Sequence, residues 1–600
     1  MTQPPPDTAP RRRLVLAVLG GWLFAAVVLL VLSAGAIARP FYADPDDAMR
    51  ILEVRDWLAG QSWFDVAQHR LNGGAFAMHW SRLVDLPLAA TMLLLRPVLG
   101  AAQAEVAAAV IVPLLTLLAI MALVASITRR LGGLVPAQLA VVIVGFAAPL
   151  LGQARPLRVD HHAWQIVLAL VAVRALLGAP TARSGATIGL ALAALLTVSL
   201  EGLPIAAAIA GVATLAWAWR GDGRDAPAMA WTLFLASALL QAATRGPAMW
   251  ASACDAMAPA WIASLGGAAM GVTIAVAVSR FGRIARFGGV ALGGALAAGV
   301  VLVLSPACLA GPFATLPPRV FRLWYMMVLE GRPLWEQGWS RAAMTVGLPV
   351  MGLIGTLRAR ALAATGERRT QWTMLLAIQA AALAIAIMVN RAGATANALA
   401  VPGAAILLCD LLRRARQVEA TGPRILATVG AFLLISPGQL AALPLIASDD
   451  AADALDLPRH RRACRDTGDI ASLATLPKAT LFAPLDMTPA LLVSTPHHAV
   501  ASGYHRNAAA MDRVIHALTA PPDEARALVT ATRADYLVAC PGLSDVDLYR
   551  AVAPQGLWAR LERGERIDWL RPVRLAGPVL VWRVIRPVAA APLRESPARR

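Results

Sequence analysis

Residues 11–47 read RRRLVLAVLG GWLFAAVVLL VLSAGAIARP FYADPDD. Three arginines precede an apolar run from Leu14 to about Ile37, and three carboxylates, Asp44, Asp46 and Asp47, follow it. The run is long enough for a membrane span, which needs about 20 mostly apolar residues. It is longer than the apolar core of a signal peptide, and Ala38-Arg39-Pro40 is a poor cleavage site. It therefore reads as a retained first span with its N-terminus in the cytoplasm.

The rest of the chain repeats this pattern. Of its 600 residues 58% are hydrophobic and only 15% charged, with a mean hydropathy of +0.62. A water-soluble surface needs about a quarter of the residues charged, so the composition excludes a soluble protein of this length. Hydropathy predicts about 13 spans, near residues 14–37, 105–127, 134–152, 163–178, 186–200, 203–218, 227–243, 262–279, 288–305, 342–357, 372–389, 398–412 and 425–447. Arginine supplies an independent check. With the N-terminus inside, every predicted cytoplasmic loop is basic: Arg129-Arg130, Arg183, Arg220 with Arg224, Arg280 to Arg286, Arg358 to Arg369, and Arg413 to Arg424. That is the positive-inside pattern. It also accounts for the formal net charge of +18 without a nucleic-acid partner.

The predicted architecture is an all-α polytopic domain over residues 1–447, followed by a small extracytoplasmic α/β domain over 448–600. The outer face receives the loops 38–104, 153–162 and 306–341. The apolar but short stretch Leu83 to Leu99 contains Arg96 and reads as a helix lying in the interface, because a span there would invert the charge pattern downstream. The polypeptide changes character at Ser448-Asp449-Asp450. Beyond it, strand-like Thr480–Ala483 and Tyr536–Ala539 alternate with helix-like Asn507–Leu518 and Pro522–Thr532. The five cysteines form no CxxC pair, which argues against a thiolate metal site. Cys464 and Cys540 share the outer domain, where a disulfide is chemically allowed. Cys254 and Cys308 read as two unpaired small apolar residues. The expected location is a bacterial inner membrane, with the C-terminal domain periplasmic.

Ionisable residues gather in the outer loops. Asp44, Asp46 and Asp47 lie within four positions and repel one another unless a cation or proton is shared. Asp46 or Asp47 is also placed to cap a helix over Ala48 to Leu58. The second outer loop reads Arg155-Pro156-Leu157-Arg158-Val159-Asp160-His161-His162. Its Asp160 and His162 offer an oxygen and a nitrogen to a divalent ion, although Asp160 would equally serve as a cap and the histidines as headgroup contacts. Glu201 lies where two apolar runs meet at the same face. Arg158, Arg245, Arg322, Arg332 and Arg391 map there as well, and guanidinium groups grip phosphate well. Pro496-His497-His498 and Tyr504-His505 in the outer domain read either as acceptor contacts or as surface histidines.

At these residues the sequence resembles the GT-C superfamily of membrane glycosyltransferases. Asp44-Pro45 followed by Arg50 is similar to the DPxxxxR pattern of oligosaccharyltransferase catalytic subunits, and Asp160-His161-His162 to the second metal motif of their archaeal forms. His79, ahead of Leu86-Pro87-Leu88, is similar to the His-Pro-Pro segment of protein mannosyltransferases. The resemblance implies a divalent metal, Mn or Mg, held by Asp44, Asp47 (or Asp46), Asp160 and His162. It implies catalytic roles for Asp44, Asp47, Asp160 and Glu201, and substrate contacts from Arg158, Arg322, Glu330 and Arg332, with Glu330 as counterpart of that family's loop glutamate. The implied partners are a polyprenyl-phosphate or polyprenyl-pyrophosphate sugar donor, a glycan, lipid or protein acceptor, and membrane lipid. The WWDYG signature that reads glycosylation sequons in oligosaccharyltransferases is absent from the sequence. A transporter or flippase is the alternative from another class, and a membrane scaffold a third. A transporter would require charges near mid-membrane and pseudo-symmetric halves, which the sequence does not display.

Overall fold

The computed structural model describes residues 8–40, 42, 44–74, 76–438 and 467–586. The chain divides into two compact units, the first drawn from Met1–Ala67, Ala77–Thr315 and Met326–Pro458, the second from Gln68–Phe76, Leu316–Tyr325 and Arg459–Arg600.

The first unit is helical. It contains α1 (Thr8–Ala38), α2 (Pro45–Leu58), α3 (Asp85–Leu99), α4 (Ala101–Gly132), α5 (Leu134–Val144), α6 (Ala148–Gln153), α7 (His162–Leu176), α8 (Ala182–Val198), α9 (Leu203–Arg220), α10 (Asp225–Arg245), α11 (Pro259–Ala277) and α12 (Arg283–Leu304). After α13 (Pro318–Leu323), which belongs to the second unit, come α14 (Trp339–Ala361), α15 (Gly366–Met388), α16 (Gly393–Arg416) and α17 (Thr421–Ile435). Among the described residues nine helices are long and apolar enough to cross a membrane, and four shorter apolar ones accompany them. Within the described residues every predicted span falls on helical segments, and the protein is a multi-pass membrane protein. One predicted span, 134–152, is broken into α5 and α6 at Gly145 to Ala147. At about 1.5 Å per residue α5 reaches only about half of the hydrocarbon thickness. Pro149 has no N–H with which to continue the α5 ladder. The end of the last predicted span lies outside the described residues.

Glycine decides how closely the spans pack. A Cβ on Gly355 of α14 would lie 2.0 Å from the carbonyl oxygen of Gly403 in α16, and one on Gly352 would lie 2.5 Å from that of Ala400. Gly271 of α11 meets Gly293 of α12 in the same way, as Gly185 and Gly189 of α8 meet the α10 backbone at Asp225 and Met229. Without a hydrophobic driving force between helices in lipid, such backbone approach supplies the dispersion contact that holds them.

Residues 44–67 and 77–99, within the predicted first outer loop, belong to this unit and pack with its helices. α3 occupies the predicted interfacial stretch, burying Leu88, Ala89 and Met92 and exposing Leu93, Leu94 and Val98. The fully buried Arg50 of α2 pairs with Asp85 of α3 at 2.8 Å and stacks 4.3 Å from the Trp80 ring. Arg82 pairs with the other oxygen of Asp85 at 3.1 Å. Arg55 forms a two-pronged pair with Glu105 on α4, at 2.9 and 2.6 Å. Cys254 and Cys308 are not unpaired, as the sequence reading had them: they form a disulfide that joins the α10–α11 loop to the segment after α12. Fifty-four positions of sequence separate the two, so local spacing carried no sign of their meeting. Cys464, half of the other expected pair, lies outside the described residues.

The second unit is the small α/β domain. Strands β1 (Thr480–Phe482), β2 (His498–Ala499), β3 (Tyr536–Ala539), β4 (Leu570–Val573) and β5 (Leu580–Val584) form one sheet in the order β2-β1-β3-β5-β4. β1 runs parallel to β2 and β3, and β5 antiparallel to β3 and β4. Helices Ala508–Thr519 and Pro522–Thr530 fall where the pattern predicted them. Residues 68–76 of the first outer loop belong to this unit: Leu71 bridges in parallel to Ala499 at the β2 edge, and Asn72 donates to Asn507 at 3.0 Å. His497 is a structural residue here. It is fully buried, its Nδ1 accepts the Ala479 N–H at 3.2 Å, and its Nε2 lies 2.7 Å from the Leu473 carbonyl.

Candidate active site

Two outer-loop motifs of the first unit converge because α2 starts immediately after the first span. Asp44 caps α2, its side chain accepting the Asp46 N–H at 2.9 Å, and Pro45 follows with φ already suited to a first helical position. The cap is thus Asp44, not Asp46 or Asp47 as the sequence offered, and Asp47 is left on the first turn. From there the Asp47 carboxylate accepts the N–H groups of Val159 (2.8 Å) and Asp160 (3.2 Å), which pins the second outer loop to α2.

Arg158 sits among the carboxylates. Its Nη1 lies 2.5 Å from Asp44 Oδ2 and 3.3 Å from Asp47 Oδ2, its Nη2 lies 2.6 Å from Asp160 Oδ2, and its Nε donates to Gln153 at 3.2 Å. Burial raises all three acids and Arg158 lowers them, with unequal results. The Asp44 carboxyl is held below its usual range, and Asp160 well below it. Asp47 is pushed up to about 7 by its burial. Asp46 rises well above the carboxylate range through burial and the neighbouring Asp44 and Asp160. Asp44 is the most open of the three paired with Arg158, with 23% of its side chain exposed against 2% for Asp47.

Asp160 turns this cluster toward the histidines. Its Oδ1 accepts the His162 N–H at 3.0 Å, and its Oδ2 lies 3.0 Å from His162 Nδ1. The His161 and His162 rings lie 4.4 Å apart. Glu201, on the short turn between α8 and α9, brings Oε2 to 3.5 Å from His161 Nε2 and 3.9 Å from His162 Nε2. Its Oε1 pairs with Arg391 Nη1, and Arg391 Nη2 lies 3.5 Å from Glu330. One connected set of ionic contacts therefore runs from Asp44 through Arg158, Asp160, His162 and Glu201 to Arg391 and Glu330.

The expected residues do not all join it. Arg332 is used within its own loop, donating to the Met326 carbonyl at 2.8 Å and pairing with Glu336. Arg322 is exposed on α13 in the second unit, its Nε donating to the Pro318 carbonyl. The loop 306–341 is therefore divided between the units, and Arg391 is the arginine that meets Glu330. His161 and Arg391 were underweighted from sequence. The only signals were the adjacency of His161 to a candidate ligand and the position of Arg391 at the outer end of a span.

A divalent ion fits this chemistry. Among the described residues, the group of three or more His, Cys, Asp or Glu whose ligand atoms lie within 4.8 Å of one another is His161, His162 and Glu201. His162 Nε2 is buried without a hydrogen-bond partner, as a ligand atom would be. This group shares only His162 with the set Asp44, Asp47, Asp160 and His162 implied by the resemblance, because Arg158 already lies among the carboxylates of that set.

A bundle of spans, ionisable groups collected in loops between them, and a small α/β unit that follows α17 in the chain make up a polytopic membrane protein. Among solved structures it is similar to the archaeal oligosaccharyltransferase AglB from Archaeoglobus fulgidus. The form in complex with an inhibitory peptide and a dolichol-phosphate aligns at a TM-score of 0.62 with 14% identity, over 87% of this chain and 69% of that one. The form tethered to an acceptor peptide containing the NVT sequon aligns at 0.63 with 12% identity, over 90% and 71%. The form complexed with Zn and sulfate aligns at 0.57 with 15% identity, over 87% and 68%. At these identities the likeness is one of fold. No protein-family model matches the chain, and no curated protein matches it in sequence.

Proposed function

We propose that this protein is a membrane glycosyltransferase that moves a sugar from a polyprenyl-phosphate or polyprenyl-pyrophosphate carrier to an acceptor on the extracytoplasmic side. The observation that carries the reading is the convergence of Asp44, Arg158, Asp160, His162, Glu201 and Arg391 in one connected set at the ends of the spans, buried at Arg158, Asp160 and His162 and open at Asp44 and Glu201. The fold shared with an enzyme solved with dolichol-phosphate supports it. A flippase would need its charges along a path through the membrane, whereas these collect at one end.

The chemistry divides along the set. The acceptor attacks the anomeric carbon, the bond from that carbon to the phosphate oxygen breaks, and the acceptor proton must leave. Asp44 is the base in this reading, because it is the accessible carboxylate and Arg158 keeps it ionised. Asp47 fixes the loop that carries Arg158 and Asp160, so it acts as a positioning residue. The departing phosphate gains negative charge, and Arg391, now shared between two carboxylates, is placed to receive it. A divalent ion, when bound at the histidine end, would supply further positive charge to that oxygen.

The test is transfer from a radiolabelled polyprenyl-phosphate sugar by protein reconstituted in lipid. Asp44→Asn and Asp160→Asn are expected to lower turnover by about 100-fold or more while leaving the protein inserted and folded. Chelation is expected to inactivate the wild type, and Mn²⁺ to restore it. Full transfer by both variants would refute the assignment.

A further inference from the structure

We infer that the divalent ion is held by His161, His162 and Glu201, with Asp160 orienting His162 from behind and Arg158, not the ion, compensating Asp44 and Asp47. The inference rests on the transferase reading for its consequence, but its evidence is the arrangement of the side chains.

Glu201 divides its two oxygens: Oε1 goes to Arg391, while Oε2 faces both Nε2 atoms, at 3.5 and 3.9 Å. The three ligand atoms lie within 4.8 Å of one another, as donors around one ion do. The imidazoles are more than nine-tenths buried, with 5% and 7% of their side chains exposed. His162 Nε2 has no hydrogen-bond partner among the described residues. Its other nitrogen, Nδ1, lies 3.0 Å from Asp160 Oδ2. The Asp160 carboxylate thus lies beside Nδ1 while Nε2 is the nitrogen that faces Glu201, the position that outer carboxylates take toward metal-bound histidines. The His161 ring lies 4.4 Å from that of His162, so both imidazoles flank the same oxygen of Glu201.

The carboxylate cluster has the opposite character. Arg158 contacts Asp44, Asp47 and Asp160, and two backbone N–H groups occupy the remaining oxygen of Asp47. A dication among those oxygens would lie against a buried guanidinium. The site is thereby split into a base side, Asp44 with Arg158, and a phosphate side, where the ion and Arg391 share Glu201. Two imidazole nitrogens and one carboxylate oxygen favour Mn²⁺, Co²⁺ or Zn²⁺ over Mg²⁺, which prefers oxygen ligands. Three protein ligands also leave positions open for a substrate oxygen.

The experiment measures ion binding to the purified full-length protein, by equilibrium dialysis with Mn²⁺ and by the visible absorption of added Co²⁺. His161→Ala, His161→Gln and Glu201→Gln are each expected to weaken Mn²⁺ binding at least tenfold and to reduce the Co²⁺ bands, with unchanged gel-filtration profiles. Asp44→Asn is expected to stay within about threefold of wild type. If Asp44→Asn abolishes binding while both His161 variants retain it, the ion lies in the carboxylate cluster and this inference falls. Wild-type protein that binds no Mn²⁺ or Co²⁺ yet transfers sugar would also overturn it while sparing the transferase reading. Ion binding as described, without transfer from any polyprenyl-linked sugar, would do the reverse.

Discussion

Arg158 joins two loops that the sequence places more than a hundred positions apart, since Asp44 and Asp47 come from one and Asp160 from the other. Removing one partner from a buried ionic set leaves the others uncompensated, a loss of about 3–5 kcal/mol in measured cases. Arg158→Met keeps much of the side-chain volume and removes the charge, so it is expected to lower the thermal midpoint of the detergent-solubilised protein by several degrees. Adding Asp44→Asn should recover part of the loss, and no recovery would mean that the charges are not coupled.

Glu53 gives a second, pH-dependent case at the same scale. It is buried on α2 with Oε1 lacking a hydrogen-bond partner, and burial, with Asp85 adding to it, pushes it up to about 8 against Arg50, Arg82 and Arg245. Between its ordinary value of 4.5 and about 8 the unfolded chain ionises and the folded chain does not. The contribution is thus full below the ordinary value and is lost as pH rises through the folded one. Glu53→Gln should flatten the fall in thermal midpoint between about pH 5 and about pH 8, and an unchanged slope would exclude Glu53 as its source. The individual acids and histidines were legible in sequence because charge near hydrocarbon is conspicuous. Their pairing was not, because which nitrogen meets which oxygen depends on how three loops are set side by side by helices far apart in the chain.

At the scale of elements, hydropathy marked where helices lie but not how closely they approach. Nothing in the apolar run 342–357 distinguishes Gly352 and Gly355 from glycines that face open space, such as Gly211 on α9. The contact appears only when α14 is laid against Gly403 and Ala400 of α16. Gly355→Leu should therefore separate these two helices. Overpacking of this kind costs about 1–3 kcal/mol, readable as a lower thermal midpoint. Gly211→Leu, with nothing within 4 Å of its added Cβ, is the control and should change little. Equal losses for both would mean that close packing at α14–α16 is not what the glycine provides. The break between α5 and α6 was hidden for a related reason: Gly145 and Pro149 are tolerated in spans whenever neighbours satisfy the freed backbone, so hydropathy alone reads straight through them. The strands of the second unit were legible at β1 and β3, where short apolar runs stand out between turns. They were not legible at β2, a two-residue strand set by pairing with β1.

For the molecule as a whole, orientation is the property on which the proposed chemistry depends, because in that proposal a lipid-linked sugar must meet its acceptor on the face where the site lies. The arginine pattern assigns the loops with Arg129, Arg183, Arg224, Arg358 and Arg369 to the cytoplasm. The Cys254–Cys308 disulfide bears on the same question from chemistry of another kind. It lies on the predicted outer face, and such bonds persist where the compartment is oxidising. Cys409, by contrast, is a free thiol near the opposite end of α16, where Arg413 donates to its sulfur at 3.3 Å. If the N-terminus is inside, peptide mapping of protein alkylated in intact cells should recover Cys254 and Cys308 linked under non-reducing conditions. A tag after Arg600 should be cleavable by protease added to spheroplasts, while one inserted between Glu367 and Arg368 should be protected. A cytoplasmic C-terminal tag together with alkylated Cys254 and Cys308 would reverse the orientation. Asp44, Asp160 and Glu201 would then face the cytoplasm, where an extracytoplasmic acceptor cannot reach them, and the proposed reaction would fail on topology whatever the geometry of its site.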